Sequence, residues 1–266
     1  MSEAYISVEN VSKRYETEDG IVTALEGVDL SVGAGDFVSI VGPSGCGKST
    51  LLRMVAGLES PHSGRIRVDG DVVSEPGSDR GLVFQEATLY PWRTVAENVR
   101  FALEVDNVSP TTADRRVSEL LSMVGLADRA NSFPAELSGG MKKRVGIARA
   151  LAPDPEILLL DEPFSDLDVA TREALQRDLL ELWKRLDKTV LLVTHTVGEA
   201  VRLSDSVVVL QGEPGQVATV VDVDLERPRD PETDSFKPYV NTIRGTIRDR
   251  SRVAVSAPER PRSSYP

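Results

Sequence analysis

Val41–Thr50 reads VGPSGCGKST. The apolar stretch DFVSI leads into it. STLLRMVAGL leads out, with Leu51, Leu52, Val55 and Leu58 at helical spacing. A turn between a buried strand and a helix, with glycines at 42, 45 and 47, leaves its main-chain N–H groups open to a ligand. The helix behind it adds the positive end of its dipole. Gly42, Gly47, Lys48 and Ser49 satisfy G-x-x-x-x-G-K-[ST], a pattern that holds phosphates. Lys48 has the length to reach the terminal phosphates, and the Ser49 hydroxyl suits Mg2+.

The flanking segments predict the rest of the fold. YISVENV and TALEGVDLSV read as N-terminal strands, and GRIRVDG and GLVFQ as strands after the first helix. EILLLDEP, TVLLVTH and SVVVLQG carry apolar runs without alternation, as parallel strands covered on both faces do. Between the first two lies the amphipathic TREALQRDLLELWKRL. From about 87 to 152 the pattern turns helical. Ser109-Pro110 forms a start signal, Val117, Leu120, Leu121 and Val124 an apolar stripe, and Gly125 a stop. A further helix begins near SGGMKKRVGIARAL and ends before Pro153. The expectation is an α/β body over residues 1–226 with a helical insertion. A Pro-, Arg- and Ser-rich C-terminal tail, 227–266, should follow, its last ten or so residues disordered.

Composition narrows the functions. No stretch approaches the ~20 apolar residues that cross a bilayer, and the start MSEAYISVEN lacks the marks of a signal peptide. Cys46 is the single cysteine, which excludes an intrachain disulfide. The net charge is −11, with 22 Lys+Arg against 37 Asp+Glu in residues 1–226 and 9 against 5 in the tail. So acidic a body repels a phosphate backbone and argues against a nucleic-acid partner.

Two more segments complete the chemistry. ILLLDEP delivers Asp161 and Glu162 to the carboxyl end of a buried strand, where α/β sheets bind ligands. Asp161 would sit by Mg2+, and Glu162 could polarise an attacking water. LSGGMKKR opens a helix at Ser138, Gly139 and Gly140, a second phosphate-sized nest of N–H groups. One triphosphate does not need two nests from the same chain.

With these motifs in order, the sequence resembles the ATPase subunits of ABC transporters over residues 4 to 226. The resemblance implies a P-loop NTPase core, an N-terminal antiparallel β subdomain and an inserted α-helical subdomain. It implies that Tyr15 stacks on adenine, and that Gly42, Pro43, Ser44, Gly45, Cys46, Gly47, Lys48, Ser49 and Thr50 hold the phosphates. Gln85 matches the glutamine that senses Mg2+ and water, and Ser49 and Asp161 match the other Mg2+ positions. Ser138, Gly139 and Gly140 match the family signature. SDLD, ending at Asp168, matches the loop at the dimer interface, and His195 the switch histidine on the γ-phosphate. Met141 and LYPWRTVAENV resemble the branch of nitrate, sulfonate and taurine importers. Asp166 departs from the pattern, which commonly has a small residue there.

The implied machine is a dimer of two copies closing on two ATP with Mg2+. Glu162, His195, Gln85 and Lys48 are its catalytic residues. It would lie at the cytoplasmic face of the membrane, on a separate permease fed by an extracytoplasmic solute-binding protein. The competing reading is a non-transport ATPase of the same type acting on nucleic acid or ribosomes. An insertion of about 65 residues leaves no room for the coiled coil of chromosome-acting members, and ribosome-acting members carry two cassettes.

Overall fold

The computed structural model describes residues 4–18, 20–105 and 107–254. Its centre is β3 (Phe37–Val41), five consecutive buried residues, as expected of a strand covered on both faces. β7 (Ile157–Asp161) and β8 (Thr189–Val193) are buried throughout in the same way. With β6 (Arg80–Val83), β9 (Ser206–Gln211) and β10 (Gln216–Asp222) they form a six-stranded sheet in the order β10-β9-β3-β8-β7-β6. All neighbours pair in parallel except β10 with β9.

A four-stranded antiparallel sheet, β2-β1-β4-β5, stands beside it. Its strands are β1 (Ile6–Thr17), β2 (Gly20–Val32), β4 (Ser63–Val68) and β5 (Asp71–Val72). α1 (Lys48–Val55) fills the space between the sheets: Leu51, Leu52, Met54 and Val55 join one core with Ile6, Val8 and Ile66 from β1 and β4 and Ile157 and Leu159 from β7.

The helical insertion holds α2 (Val95–Val105), α3 (Pro110–Met123) and α4 (Gly139–Leu151). Ser109 caps α3 by accepting from the Thr112 N–H, with Pro110 in the first turn. The stripe Val117, Leu120 and Leu121 is buried against Val145 and Ile147 of α4 and Val99 of α2. α5 (Val169–Leu186) and α6 (Val197–Leu203) cover the large sheet.

The residues after 226 are not a detached tail. α7 (Lys237–Ala254) places Val240 and Ile243, with Phe236 ahead of it, in a core shared with Val41, Val201, Val207 and Val209. Buried Arg229 donates to the carbonyls of Val201, Ser204, Val223 and Leu225. Burial lowers its pKa to about 10. Arg227 lies 4.6 Å from the Trp183 ring and donates to Asp205 at 2.7 Å. The Pro and Arg content of the segment hides an apolar spacing at 240, 243 and 247. The ten terminal residues expected to be disordered lie outside the described residues.

Candidate functional site

Three strand ends meet at one edge of the parallel sheet. Asp161 ends β7 in register with Val193 of β8. The Glu162 N–H donates to the Val193 carbonyl at 2.9 Å, and the Thr194 N–H to that of Ile40 at 3.1 Å. β3 therefore releases the glycine loop, β7 the two carboxylates, and β8 His195, all at the carboxyl edge where such sheets bind ligands.

The loop is shaped by its neighbours. A Cβ on Gly42 would stand 2.2 Å from the Leu210 carbonyl oxygen. Gly47, at φ +89°, would put one 2.5 Å from Leu25 Cδ2. Neither position admits a side chain. Lys48, 6% exposed, turns its Nζ into the loop and donates to the carbonyls of Gly42 (3.0 Å) and Pro43 (2.7 Å). Ser44 and Gly45 are exposed at the loop tip, and Cys46 is buried, its thiol pKa raised by burial. Ser49 Oγ donates to Asp161 Oδ1 at 2.9 Å. Burial pushes the Asp161 carboxyl up, and the Ser49 hydrogen bond works against that. This pair of hard oxygen donors suits Mg2+, which takes few protein ligands and keeps the rest for water and phosphate.

Beside this pair lies a cavity of about 210 Å3 bordered by Gln85, Glu162, Ser165, Asp166, His195 and Glu199. His195 Nδ1 is 2.9 Å from Glu162 Oε2, joining two residues 33 apart in sequence. Gln85 lies two residues past the end of β6, not within it, and is exposed. Glu199 carried no sequence signal. It is buried on α6, accepts from Thr194 Oγ1 at 2.7 Å and pairs with Arg172 at 3.7 Å. Burial raises its pKa.

Ser138, Gly139 and Gly140 stand apart from this cavity, and none of them borders it. Ser138 caps α4 by accepting from the Met141 N–H at 3.3 Å. Gly139 is exposed, and Gly140 packs so closely on Thr171 that a Cβ would come within 2.5 Å of its Cγ2. Asp168 caps α5, accepting from the Thr171 N–H at 3.0 Å, and this bonding holds its carboxyl below the usual range. Tyr15 lies on β1, its hydroxyl 3.4 Å from Thr50 Oγ1.

Asp166 has a physical setting. It adopts φ +61°, which Asp tolerates better than most residues. Its charge acts on Lys143, a buried α4 residue that donates to the Gln85 main-chain carbonyl. Burial lowers the Lys143 pKa, and the Asp166 charge is the largest influence opposing that, ahead of Glu86 and Glu162.

Comparison with known proteins agrees with this geometry. The family model described as ABC transporter matches residues 25–165. An ABC transporter ATP-binding protein of Methanocaldococcus jannaschii is 48% identical, over 92% of this chain and 91% of its own length. A nitrate import ATP-binding protein of Synechocystis sp. is 43% identical over 88% of each. An aliphatic sulfonates import ATP-binding protein of Bacillus thuringiensis subsp. konkukian is 42% identical over 87% of this chain and 91% of its own. Among solved structures, the ATP-binding cassette MJ0796, dimeric and bound to ADP and Pi after hydrolysis, superposes with a TM-score of 0.74. It is 35% identical and covers 83% of this chain and 100% of its own. The chain belongs to the ABC transporter family as an ATP-binding, ATP-hydrolysing subunit.

Proposed function

We propose that this subunit works as a dimer of two copies, powering uptake of a small solute of the nitrate, sulfonate or taurine type through a separate membrane permease. Relatives named for nitrate, bicarbonate and aliphatic sulfonates support the solute class, since all three are small oxyanions. The observation that carries the mechanism is the Glu162–His195 pair beside the Ser49–Asp161 pair at one sheet edge.

Lys48 leaves its loop carbonyls for the terminal phosphates, where its charge offsets that of the transition state. Ser49, Asp161 and Gln85 would hold Mg2+, which would supply positive charge against the phosphates. Glu162 orients the attacking water and takes its proton. His195, held on Glu162 through Nδ1, offers Nε2 to the γ-phosphate. The N-terminus of α4, with Ser138 and Gly139 exposed and outside its own cavity, closes on the partner copy's ATP. Hydrolysis then requires closure.

A groove of about 730 Å3, bordered by Arg80, Phe84, Tyr90, Phe101 and Arg149, runs between the large sheet and the insertion. Trp92 beside it is 72% exposed and packs on Tyr90 at 5.6 Å. This surface supports docking of a short permease helix. Among the described residues no helix is long and apolar enough to cross a membrane, in keeping with a peripheral place on its cytoplasmic face. An extracytoplasmic binding protein would deliver the solute.

Glu162→Gln tests the mechanism. The variant should bind ATP normally, lose at least about a hundredfold in turnover and accumulate as an ATP-bound dimer in gel filtration. Near-normal turnover would remove Glu162 as the base.

A further inference from the structure

Glu59 lies in the turn after α1, with its side chain 20% exposed. It gathers partners from two elements. The Tyr15 hydroxyl donates to its Oε2 at 2.5 Å. Lys13 Nζ, from the same strand as Tyr15, lies 3.3 Å away, and Arg53 of α1 lies at 3.8 Å. The Lys13 ammonium also sits 5.3 Å from the centre of the Tyr15 ring and donates to the Ser60 carbonyl at 2.8 Å. A tyrosine on a strand has more than one staggered rotamer open to it. Anchoring the hydroxyl selects one, and Thr50 beside it ties that choice to the phosphate loop. Burial, then the Glu59 hydrogen bond, raises the phenol pKa, so the ring stays a donor.

We infer that Glu59 is a positioning residue for the nucleotide base: through the Tyr15 hydroxyl it sets the ring at a fixed height over the phosphate loop. Base stacking and phosphate binding then occur in one register. The inference rests on the reading of Tyr15 as the adenine-stacking ring.

The test is calorimetric binding of ATP and of inorganic tripolyphosphate, which has the phosphates but no base, to the full chain. Glu59→Ala should weaken ATP about tenfold and leave tripolyphosphate within about twofold. Glu59→Gln, whose amide oxygen still accepts from the phenol, should recover most of the loss. Adding Glu59→Ala to Tyr15→Ala should change nothing further in ATP affinity. Equal weakening of tripolyphosphate would overturn the inference, because Glu59 would then act through α1 alone. So would unchanged ATP binding in Glu59→Ala while Tyr15→Ala weakens it. If Tyr15→Ala itself leaves ATP affinity intact, the base-stacking reading fails and the role of Glu59 falls with it.

Discussion

Lys143 donates its buried ammonium to the main-chain carbonyl of Gln85, tying α4 to the loop that follows β6. α4 begins with the signature nest, and Gln85 borders the cavity beside Glu162. The Asp166 charge is the largest influence opposing the effect of burial on that ammonium.

Lys143→Met should keep the volume and lose both donor and charge. Turnover should fall about tenfold with little change in the KM for ATP, because the loss concerns the placement of Gln85. Asp166→Asn should cause a smaller drop, and the double variant should be no worse than Lys143→Met. Steady-state kinetics on the four proteins checks this; additive losses would show that the two residues act independently.

Asp161 makes the folded chain sensitive to acid in an unusual direction. Burial raises its carboxyl above the ordinary 3.8, so the folded state binds this proton more readily than the unfolded one. The stability that protonation confers is full at low pH and is lost as pH rises through the raised value. Asp161→Asn should therefore melt higher than the parent at neutral pH without nucleotide or Mg2+. The gain should be about 2–4 °C per 1 kcal/mol relieved. The gap should close as the parent's Asp161 takes up its proton. Thermal melts across pH 4 to 8 read this directly, and turnover should be lost in the variant at every pH.

Trp92→Ala removes an aromatic side chain that is mostly in solvent, so stability should change by less than about 0.5 kcal/mol. If the groove docks a permease helix as proposed, co-purification with that permease should fall while ATP affinity stays unchanged. Intact assembly would count against docking through Trp92.

Much of this was legible in the sequence because its signals are local. The apolar runs ILLL, VLLV and VVVL gave away three buried parallel strands, and the glycine loop names its ligand through spacing within ten residues. Long-range pairings left no such mark. Glu59 meets Tyr15 across 44 residues, Lys143 meets Gln85 across 58, and Arg229 reaches Val201 across 28. Each is an ordinary charged residue until the fold brings its partner near. α7 left a weaker mark for a different reason: its three apolar positions lie among Pro, Arg and Ser residues that dominate the composition of 227–266.

The place of β3 in the middle of the large sheet has a consequence for how the protein is made. Its two neighbours are β8 and β9, and Val38 pairs with Leu191 on one side and Ser206 on the other. The carbonyl that crowds Gly42 belongs to Leu210. On the ribosome, the segment bearing the glycine loop emerges early and waits while some 150 residues more are added, roughly 8 to 30 s at usual elongation rates. Until then Phe37–Val41 is an unpaired apolar strand. Destabilising changes in β8 or β9 should therefore reduce the yield of soluble protein before they alter the activity of the molecules that do fold.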